Sequence, residues 1–412
     1  MELSLSQAID IAVSNYAAVQ QARENLIGAE FESRSAMADL LPTINANYNF
    51  TTLADAPYLL QNGRQIQVAY SNQYYWDVTL SQPLFTGFAL STSYEMSQLN
   101  VEVKKMEETG TFLDVAKGVK SAYYQLLLSH KTLEVEEDTV KYLKAHEHDA
   151  KRFYDSGLTR RNDWLRAQVA LADAVQNRER AKAGLQFAVS DLNRWLAYEI
   201  NRQILIEDIV TVPEDKYRLE TLTEYGLQNR PVLHAMHLTL ETFEKAVKLE
   251  KSEYYPKVAL VGSYYQDGDS LLADNNNYYN DHNALLSVQV TWTLFNASKR
   301  KSKVAKARAD KRAFLKQIQL AEDGIRLEIK KAYLNYNVAQ NNIETAKASL
   351  ASAEENSRIT NLGYQQQVAT STEVLDARAD LTQAQSNYYR SLYGFLNAGA
   401  NLDRAIGKRI EI

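Results

Sequence analysis

The 412-residue sequence contains no cysteine. This absence excludes disulfide bonds, iron–sulfur clusters and zinc sites built from thiolates, and it is compatible with an oxidising compartment without establishing one. Glycine, with 15 residues, and proline, with 6, are also scarce. Because both residues weaken or break helices, their scarcity favours long, uninterrupted helices.

Long hydrophobic runs are missing as well. The sequence has no run of about 18 apolar residues, so it predicts no transmembrane helix. The amino terminus shows no signal peptide. Either the protein is cytosolic or the numbering begins near a mature terminus with Met1 added for expression, and we expect the second.

The chain also lacks an excess of positive charge. Its net charge of -5 argues against nucleic acid as the main partner. Tyrosine, by contrast, is abundant, with 26 residues, and this side chain is typical of membrane–water interfaces. A composition of 45% hydrophobic and 24% charged residues predicts a folded chain.

Residues 74–96 combine a strand pattern with a helix pattern. Apolar and mostly polar side chains alternate over residues 74–81, which predicts a strand with one apolar face. Pro83 removes a donor from the strand ladder, Gly87 permits a turn of the backbone, and a helical pattern follows. A second copy of this stretch lies 210 positions later, where residues 286–293 alternate in the same way.

The plan of helix, hairpin, long helix, break and helix therefore occurs twice, which predicts an internal two-fold repeat. Periodicity places helices at 4–39, 88–155, 160–199, 221–253, 297–361 and 372–400, and loops at 54–71 and 266–283. The predicted segments are a helical repeat at 1–42 and 88–199, a hairpin at 43–87, a linker at 200–220, a second helical repeat at 221–255 and 297–400, a second hairpin at 256–296 and a tail at 401–412.

The four strands have the length that is needed to cross a bilayer as tilted strands. Four strands cannot close around a channel, and open edges are not tolerated in lipid, so several chains must share one barrel. Three chains would supply 12 strands. We expect Tyr48, Phe50, Trp76, Val78, Leu80, Val288, Val290 and Trp292 to face lipid, and Asp77, Thr79, Gln289 and Thr291 to face the lumen.

The chain resembles the TolC family of trimeric outer-membrane efflux and secretion channels. The resemblance rests on the duplicated plan, on Gln82-Pro83-Leu84-Phe85-Thr86-Gly87 and on Glu373-Val374-Leu375-Asp376-Ala377. It implies a mainly α-helical chain with a membrane β part: a trimeric 12-stranded β-barrel, four strands per chain, continuous with a 12-helix periplasmic α-barrel. The linker and the tail would form an equatorial belt.

The resemblance also implies partners and a location. The chain would assemble as a homotrimer in the outer membrane of a Gram-negative bacterium and extend into the periplasm. It would contact outer-membrane lipid, a periplasmic adaptor and an inner-membrane transporter of the RND, ABC or MFS type. No catalytic motif or metal-ligand set stands out, so we expect neither an enzyme nor a cofactor.

Glu373 and Asp376 match the carboxylates that line the periplasmic constriction in this family. Being three residues apart, they share a helix face, and three copies would form a ring of six acids that selects cations. The alternative is that they are solvated acids in the first turn of a helix, where the helix dipole favours negative charge.

Asp163 and Tyr364 match positions at which the family latches neighbouring helices in the closed tip. The family's arginine partner is replaced by Ala369, and Arg160 and Arg161 are the candidates to substitute for it. The alternative is that these residues are exposed charges. The turn residues Gly157, Leu158, Thr159, Gln367 and Val368 are the candidates for contact with the adaptor, and an ordinary helix stop at Gly157 is the alternative.

Two functions remain open from the sequence. The first is a passive outer-membrane exit duct that is gated at its periplasmic tip and energised by an inner-membrane pump through an adaptor. The second is a soluble coiled-coil structural or scaffolding protein. Within the first, the sequence does not choose between small-molecule efflux and type I protein secretion.

Overall fold

The computed structural model describes residues 2–209 and 217–408, and the described chain is mainly helical with a small sheet. Its elements in chain order are α1 (Leu5–Asn15), α2 (Ala17–Ala38), β1 (Thr43–Thr52), β2 (Tyr58–Gln61), β3 (Arg64–Gln67), β4 (Asn72–Phe85), α3 (Ala89–Asp155), α4 (Arg161–Trp195), α5 (Leu219–Asn229), α6 (Pro231–Ser252), β5 (Lys257–Gly268), β6 (His282–Thr291), α7 (Lys299–Gln365) and α8 (Ser371–Ile406). Among the described helices, none is both long enough and apolar enough to cross a membrane.

The chain divides into two compact units. The sheet unit comprises Leu26–Lys104 and Met236–Gln317, and the helix unit comprises Met1–Asn25, Lys105–Ala235 and Ile318–Ile412. The sheet unit holds the six strands of the described chain, whereas the helix unit holds most of α3 and of α7 together with α1, α4, α5 and α8.

The sheet has the strand order β1-β4-β5-β6, and every pair is antiparallel. On β4, Trp76 lies opposite Tyr48 of β1, and Val78 lies between Ala46 of β1 and Tyr264 of β5. Because directly paired residues point to the same side of a sheet, the register defines two faces. The apolar face carries Ile44, Ala46, Tyr48, Phe50, Tyr74, Trp76, Val78, Leu80, Val258, Leu260, Gly262, Tyr264, Leu286, Val288 and Val290.

The opposite face is polar at its centre. Asn47 donates to both carboxylate oxygens of Asp77 at 3.2 Å, and the Thr79 hydroxyl donates to Asp77 at 2.8 Å. The Thr79 hydroxyl also lies 2.9 Å from that of Ser263 on β5. This ladder buries Asp77 and joins three strands. Seven of the residues expected to face lipid therefore share one face of the sheet, while Trp292 lies one position beyond the end of β6.

Two of the four strands are edges. Within the described residues, β1 pairs only with β4, and β6 pairs only with β5. Their outer backbone N–H and C=O groups are thus available to another chain. The long strand β4 also has an irregular register with β5 between Pro83 and Phe85, as expected where proline cannot donate to the ladder.

Both passages from strand to helix use two consecutive left-handed residues. After β4 these are Gly87, with φ of 65°, and Phe88, with φ of 69°. After β6 they are Ala297, with φ of 48°, and Ser298, with φ of 68°. The two pairs are separated by the 210 positions that the sequence pattern predicts. At Gly87 a Cβ atom would also lie 2.5 Å from the carbonyl oxygen of Ser252, so no larger residue fits there.

The helix predicted over residues 4–39 is wrong in one respect, because it breaks at Tyr16, where ψ is 131°. The helix predicted over 221–253 breaks at the matching position, Arg230, where ψ is 121°. Pro231 accounts for the second break, since a proline disfavours helix at the preceding residue. Tyr16 instead packs its ring 5.0 Å from that of Trp195, a contact that local periodicity does not reveal.

Further boundaries differ from the sequence pattern, and one of them is the end of α7 at Gln365 rather than at 361. The loop predicted over residues 54–71 contains the hairpin of β2 and β3, which turns at Asn62 and Gly63, both with positive φ. Helix α4 ends at Trp195 rather than at 199. Helix α8 continues through the first six residues of the predicted tail and ends at Gly407, a left-handed cap with φ of 69°.

The predicted linker is partly fixed to the helix unit. Asn193 of α4 donates to the carbonyls of Ile200 and Arg202, at 3.0 and 2.7 Å. The buried Tyr123 of α3 donates to the carbonyls of Leu3 and Glu207, at 2.9 and 2.7 Å. Residues 210–216 of this linker and residues 409–412 of the predicted tail lie outside the described residues.

The two strand-to-helix passages generate a paired test. Gly87→Ala should lower the free energy of unfolding by about 2–3 kcal/mol, because it places a Cβ in the left-handed region and against the carbonyl of Ser252. Ala297→Gly should raise it by up to about 1 kcal/mol, because it relieves the same backbone conformation at an exposed site. Thermal melting of the detergent-purified protein measures both changes. If both variants change the free energy of unfolding in the same direction, the repeat of this backbone geometry is contradicted.

Candidate functional site

Two interhelical turns in the helix unit have the same backbone structure. In turn 1 (residues 156–160, between α3 and α4), Gly157 has φ of 72°, and the N–H of Leu158 donates to the carbonyl of Phe153 at 2.8 Å. In turn 2 (residues 366–370, between α7 and α8), Gln367 has φ of 63°, and the N–H of Val368 donates to Gly363 at 2.9 Å.

Each turn is a Schellman motif, in which the residue after the left-handed one bonds five residues back. The left-handed residue completes it with a bond three residues back: Gly157 to Tyr154 at 2.9 Å, and Gln367 to Tyr364 at 3.0 Å. The turns correspond at an offset of 210 positions although only the first contains glycine. The position after each left-handed residue presents an aliphatic side chain to solvent, Leu158 at 57% and Val368 at 83% exposure.

The start of α8 is fixed by a capping box. The Thr370 hydroxyl accepts from the N–H of Glu373, and the Glu373 carboxylate accepts from the N–H of Thr370 at 2.6 Å. This backbone bond, followed by that from the Thr370 hydroxyl, lowers the pKa of the Glu373 carboxyl. Glu373 is therefore an ionised cap as well as a candidate gate residue.

The first turns of α8 have a buried apolar face and an exposed acidic face. Val374, Ala377 and Leu381 are buried. Glu373 and Asp376 are exposed, and so is Asp380, which lies one further turn along the same stripe. Three acids rather than two therefore form this surface. Asp380 was missed at the sequence level because the family motif ends at Ala377, although the i, i+3, i+7 spacing was visible.

The predicted latch between neighbouring helices stays a prediction, and the single chain gives the surroundings of its residues. Tyr364 is buried at 4% exposure, packs its ring 4.9 Å from that of His146 and 5.5 Å from that of Phe153, and its hydroxyl has no partner among the described residues. Burial raises the pKa of this hydroxyl, with smaller contributions from the carboxylates of Asp149 and Asp163. Asp163 lies half-buried in the first turn of α4, and no hydrogen bond or ion pair of the described residues joins it to Tyr364.

A different set of contacts holds α8 against α3. His146 is buried, and its Nε2 lies 2.9 Å from the hydroxyl of Ser371, the first residue of α8. Further along α8, Arg378 donates to the Thr139 hydroxyl at 3.0 Å and lies 4.9 Å from the centre of the Tyr142 ring.

Arg378 is the unusual member of this set. It is only 8% exposed, its Nε has no partner among the described residues, and burial lowers the pKa of its guanidinium. Burial likewise raises the pKa of the nearby Glu136 carboxyl, and the positive charge of Arg378 makes that rise smaller. The sequence contained a signal for this residue, because it falls on the same helix face as Val374 and Leu381 and so places an arginine within an apolar stripe.

Helix α4 is bonded to both α8 and α3 near the start of α8. Arg166 donates to the hydroxyl of Thr372 on α8 at 3.0 Å. Trp164 donates to the carboxylate of Glu147 on α3 at 2.6 Å and stacks on Tyr154. The predicted latch arginines, Arg160 and Arg161, cap and begin α4 on the exposed side. The hydrogen bonds described for this region thus come from residues other than those matched to the family latch, while Tyr364 joins α7 to α3 through ring packing.

Comparison with known proteins places this arrangement in a family. The model of the outer membrane efflux protein family matches residues 8–197 and 223–408. No curated protein sequence matches the chain.

Three solved structures share the fold at low sequence identity. The CmeC outer membrane channel of Campylobacter jejuni is 16% identical with a TM-score of 0.84, covering 98% of this chain and 85% of that one. The outer membrane protein VceC of Vibrio cholerae is 16% identical with a TM-score of 0.82, covering 98% and 96%. The open-state MtrE outer membrane channel of Neisseria gonorrhoeae is 17% identical with a TM-score of 0.79, covering 98% and 88%.

The buried His146 makes the packing of α8 on α3 sensitive to pH. Burial lowers the pKa of His146 below its ordinary 6.5, so protonation costs more in the folded state than in the unfolded state. Its contribution to stability is therefore fully present above pH 6.5 and is lost as the pH falls below that value. Hydrogen exchange of the first turns of α8 should accelerate between pH 6.5 and about 5 relative to the intrinsic rate.

His146→Gln should weaken this acceleration, because glutamine can still bond Ser371 but does not titrate in that range. His148, which is exposed on the same helix, gives the matched control, and His148→Gln should keep the wild-type response. An unchanged response in His146→Gln would show that another group governs this packing.

Proposed function

Because this chain belongs to the outer membrane efflux protein family, we propose that it forms the outer-membrane exit duct of a tripartite efflux or type I secretion system. The observation that carries the proposal is the four-stranded sheet, which has one apolar face, one polar face and two open edges. In lipid every backbone polar group must be paired, so such a sheet is stable only as part of a closed barrel.

Three copies would close the barrel by pairing β1 of one chain with β6 of the next. The result has 12 strands, with the apolar face toward lipid and the Asn47–Asp77–Thr79 ladder toward the lumen. In a soluble coiled-coil scaffold the apolar face would be exposed to water, which is unfavourable. The internal two-fold repeat is supported by the strand-to-helix passages and the two turns, each of which recurs at 210 positions.

The helix unit also supports assembly. On α7, Leu320, Leu327 and Leu334 recur every seven residues and are 73%, 69% and 50% exposed in the single chain. A seven-residue apolar stripe is typical of a helix that packs against another helix along its length. We assign this stripe to contact with a neighbouring copy in a 12-helix barrel.

The acids of α8 supply the gate. In a trimer, Glu373, Asp376 and Asp380 of three chains would face one axis and create a negative constriction that selects cations. Arg378 and His146 hold the other side of the same helix, so a change in their packing moves the acids as a group. We propose that this intrachain tie supplements the latch, whose family arginine is replaced here by Ala369.

The two turns supply the contact with a periplasmic adaptor, through which an inner-membrane transporter energises export. Leu158 and Val368 are exposed aliphatic side chains on turns of equal geometry, so one adaptor surface can recognise both. The duct itself binds no cofactor and carries out no chemical step. The chemistry of the lumen does not distinguish between small molecules and proteins as cargo.

Conductance in planar bilayers tests the gate. The wild type should conduct weakly and prefer cations, and multivalent cations should block it from the periplasmic side. The triple variant Glu373→Gln, Asp376→Asn and Asp380→Asn should lose the block and most of the selectivity. Glutamine at 373 removes the charge but preserves the capping box, so the start of α8 should remain folded.

Asp323→Asn, which neutralises an exposed acid on α7 with 75% of its side chain accessible, is the control and should behave as wild type. If the triple variant keeps both block and selectivity, the constriction lies elsewhere. If the wild type forms no channel at all, the duct function itself is wrong.

A pair of lysine variants tests the orientation of the barrel. Val288→Lys places a charge on the apolar face and should lower the stability of the trimer by about 2–4 kcal/mol, whereas Gln289→Lys on the polar face should cost much less. Thermal dissociation of the trimer in detergent gives the comparison. The reverse order would show that the polar face meets lipid.

A further inference from the structure

The β5–β6 loop (residues 269–281) carries two leucines that the sheet does not explain. Leu271 and Leu272 are 74% and 71% exposed, although the loop around them is polar. Their neighbour Ala273 is fully buried. The segment is therefore packed in place while it presents two adjacent aliphatic side chains outward.

This segment is bonded to the apolar face of the sheet. The hydroxyl of Tyr48 donates to the carbonyl of Leu271 at 2.8 Å, and the indole N–H of Trp76 donates to the carbonyl of Leu272 at 3.1 Å. Tyr48 and Trp76 are directly paired across β1 and β4 on that face. The two leucines thus lie over the face of the β1–β4 pair, not beyond the ends of the strands.

The polar groups of the loop are largely paired within it. The Ser270 hydroxyl bonds Asp274 and accepts from the N–H of Leu272, and the N–H of Ala273 donates to the Ser270 carbonyl at 2.8 Å. Asn275 donates to Asp269 at 2.9 Å. Pairing of this kind lowers the cost of removing the backbone beside the leucines from water.

We propose that Leu271 and Leu272 insert into the acyl-chain region of the outer leaflet and anchor this loop to the membrane surface beside the barrel. The proposal rests on the proposed function, since it takes the apolar face of the sheet to be the lipid-facing side. Lipid is the occupant that fits, because the leucines continue the apolar face outward. A neighbouring copy would join at the free edge of β1, in the plane of the sheet.

The absence of cysteine makes the test direct, because each single-cysteine variant carries only one label. Leu271→Cys and Leu272→Cys are labelled with a polarity-sensitive fluorophore, and the full chain is reconstituted in phosphatidylcholine vesicles that contain nitroxide-labelled lipid. Both labels should shift to shorter emission wavelengths and lose at least half of their intensity to a nitroxide placed near the lipid headgroup.

Three further positions calibrate the response. Val288→Cys reports the apolar face, Gln289→Cys the polar face, and Asn280→Cys an exposed site in the same loop. Quenching at Val288 but not at 271 and 272 would overturn the loop anchor and leave the barrel intact. Short-wavelength emission at 271 and 272 without quenching would show that another protein chain covers the leucines, which also overturns it. No quenching at Val288 would overturn the membrane barrel itself.

A second measurement tests the two aromatic donors. Tyr48→Phe with Trp76→Phe removes both hydrogen bonds to the loop while keeping aromatic rings on the apolar face. In this background the quenching at residue 271 should fall at least twofold, with quenching at Val288 unchanged. Equal quenching in both backgrounds would overturn the role of these donors in holding the loop at the membrane.

Discussion

The constraint on which the rest of this structure depends is the pairing of backbone groups across the four-stranded sheet. The sheet joins both halves of the chain, because β4 of the first pairs with β5 of the second. Its edge strands are left with unpaired groups in the single chain. A sheet with one apolar face can resolve that problem in lipid only by closing with other copies, so the proposed function of the chain depends on the proposed assembly.

The strand-to-helix passages show that the internal repeat is also present in the backbone conformation. Each uses two successive left-handed residues, a conformation that costs free energy for any residue other than glycine. The first passage places glycine where the carbonyl of Ser252 also excludes a side chain, whereas the second tolerates Ala297 and Ser298 at an exposed site. The geometry is thus retained where the residues differ, as it is again in the two interhelical turns at Gly157 and Gln367.

Periodicity predicted most of this fold because the dominant elements are long and two-faced. The 67-residue helices α3 and α7, and the alternation of β4, were all visible in the order of residues. The break at Tyr16 was not visible, since no proline follows it and the ring that Tyr16 packs against, Trp195, lies far away in the chain. The hairpin of β2 and β3 was missed although Asn62-Gly63 is a strong turn signal, because the strands it joins have only 4 residues each.

The candidate site shows a different limit of sequence reasoning. Matching motifs to the family pointed to Glu373 and Asp376 and to a latch between neighbouring helices, and both stay predictions. The groups that hold α8, His146 and Arg378, lie outside those motifs and are recognised by their burial.

A buried arginine without a paired carboxylate is costly unless its surroundings compensate. Arg378 donates to a hydroxyl and lies over an aromatic ring, and the carboxylates of Asp138 and Glu136 favour its charged form without a hydrogen bond to it, while its Nε has no partner in the described residues. Such a contact holds the helix less tightly than a charged pair would. That weakness suits the proposed gate. In the proposed trimer the three exposed acids of each copy of α8 would repel those of the other copies, and only a modest further gain in free energy would be needed to separate the helices.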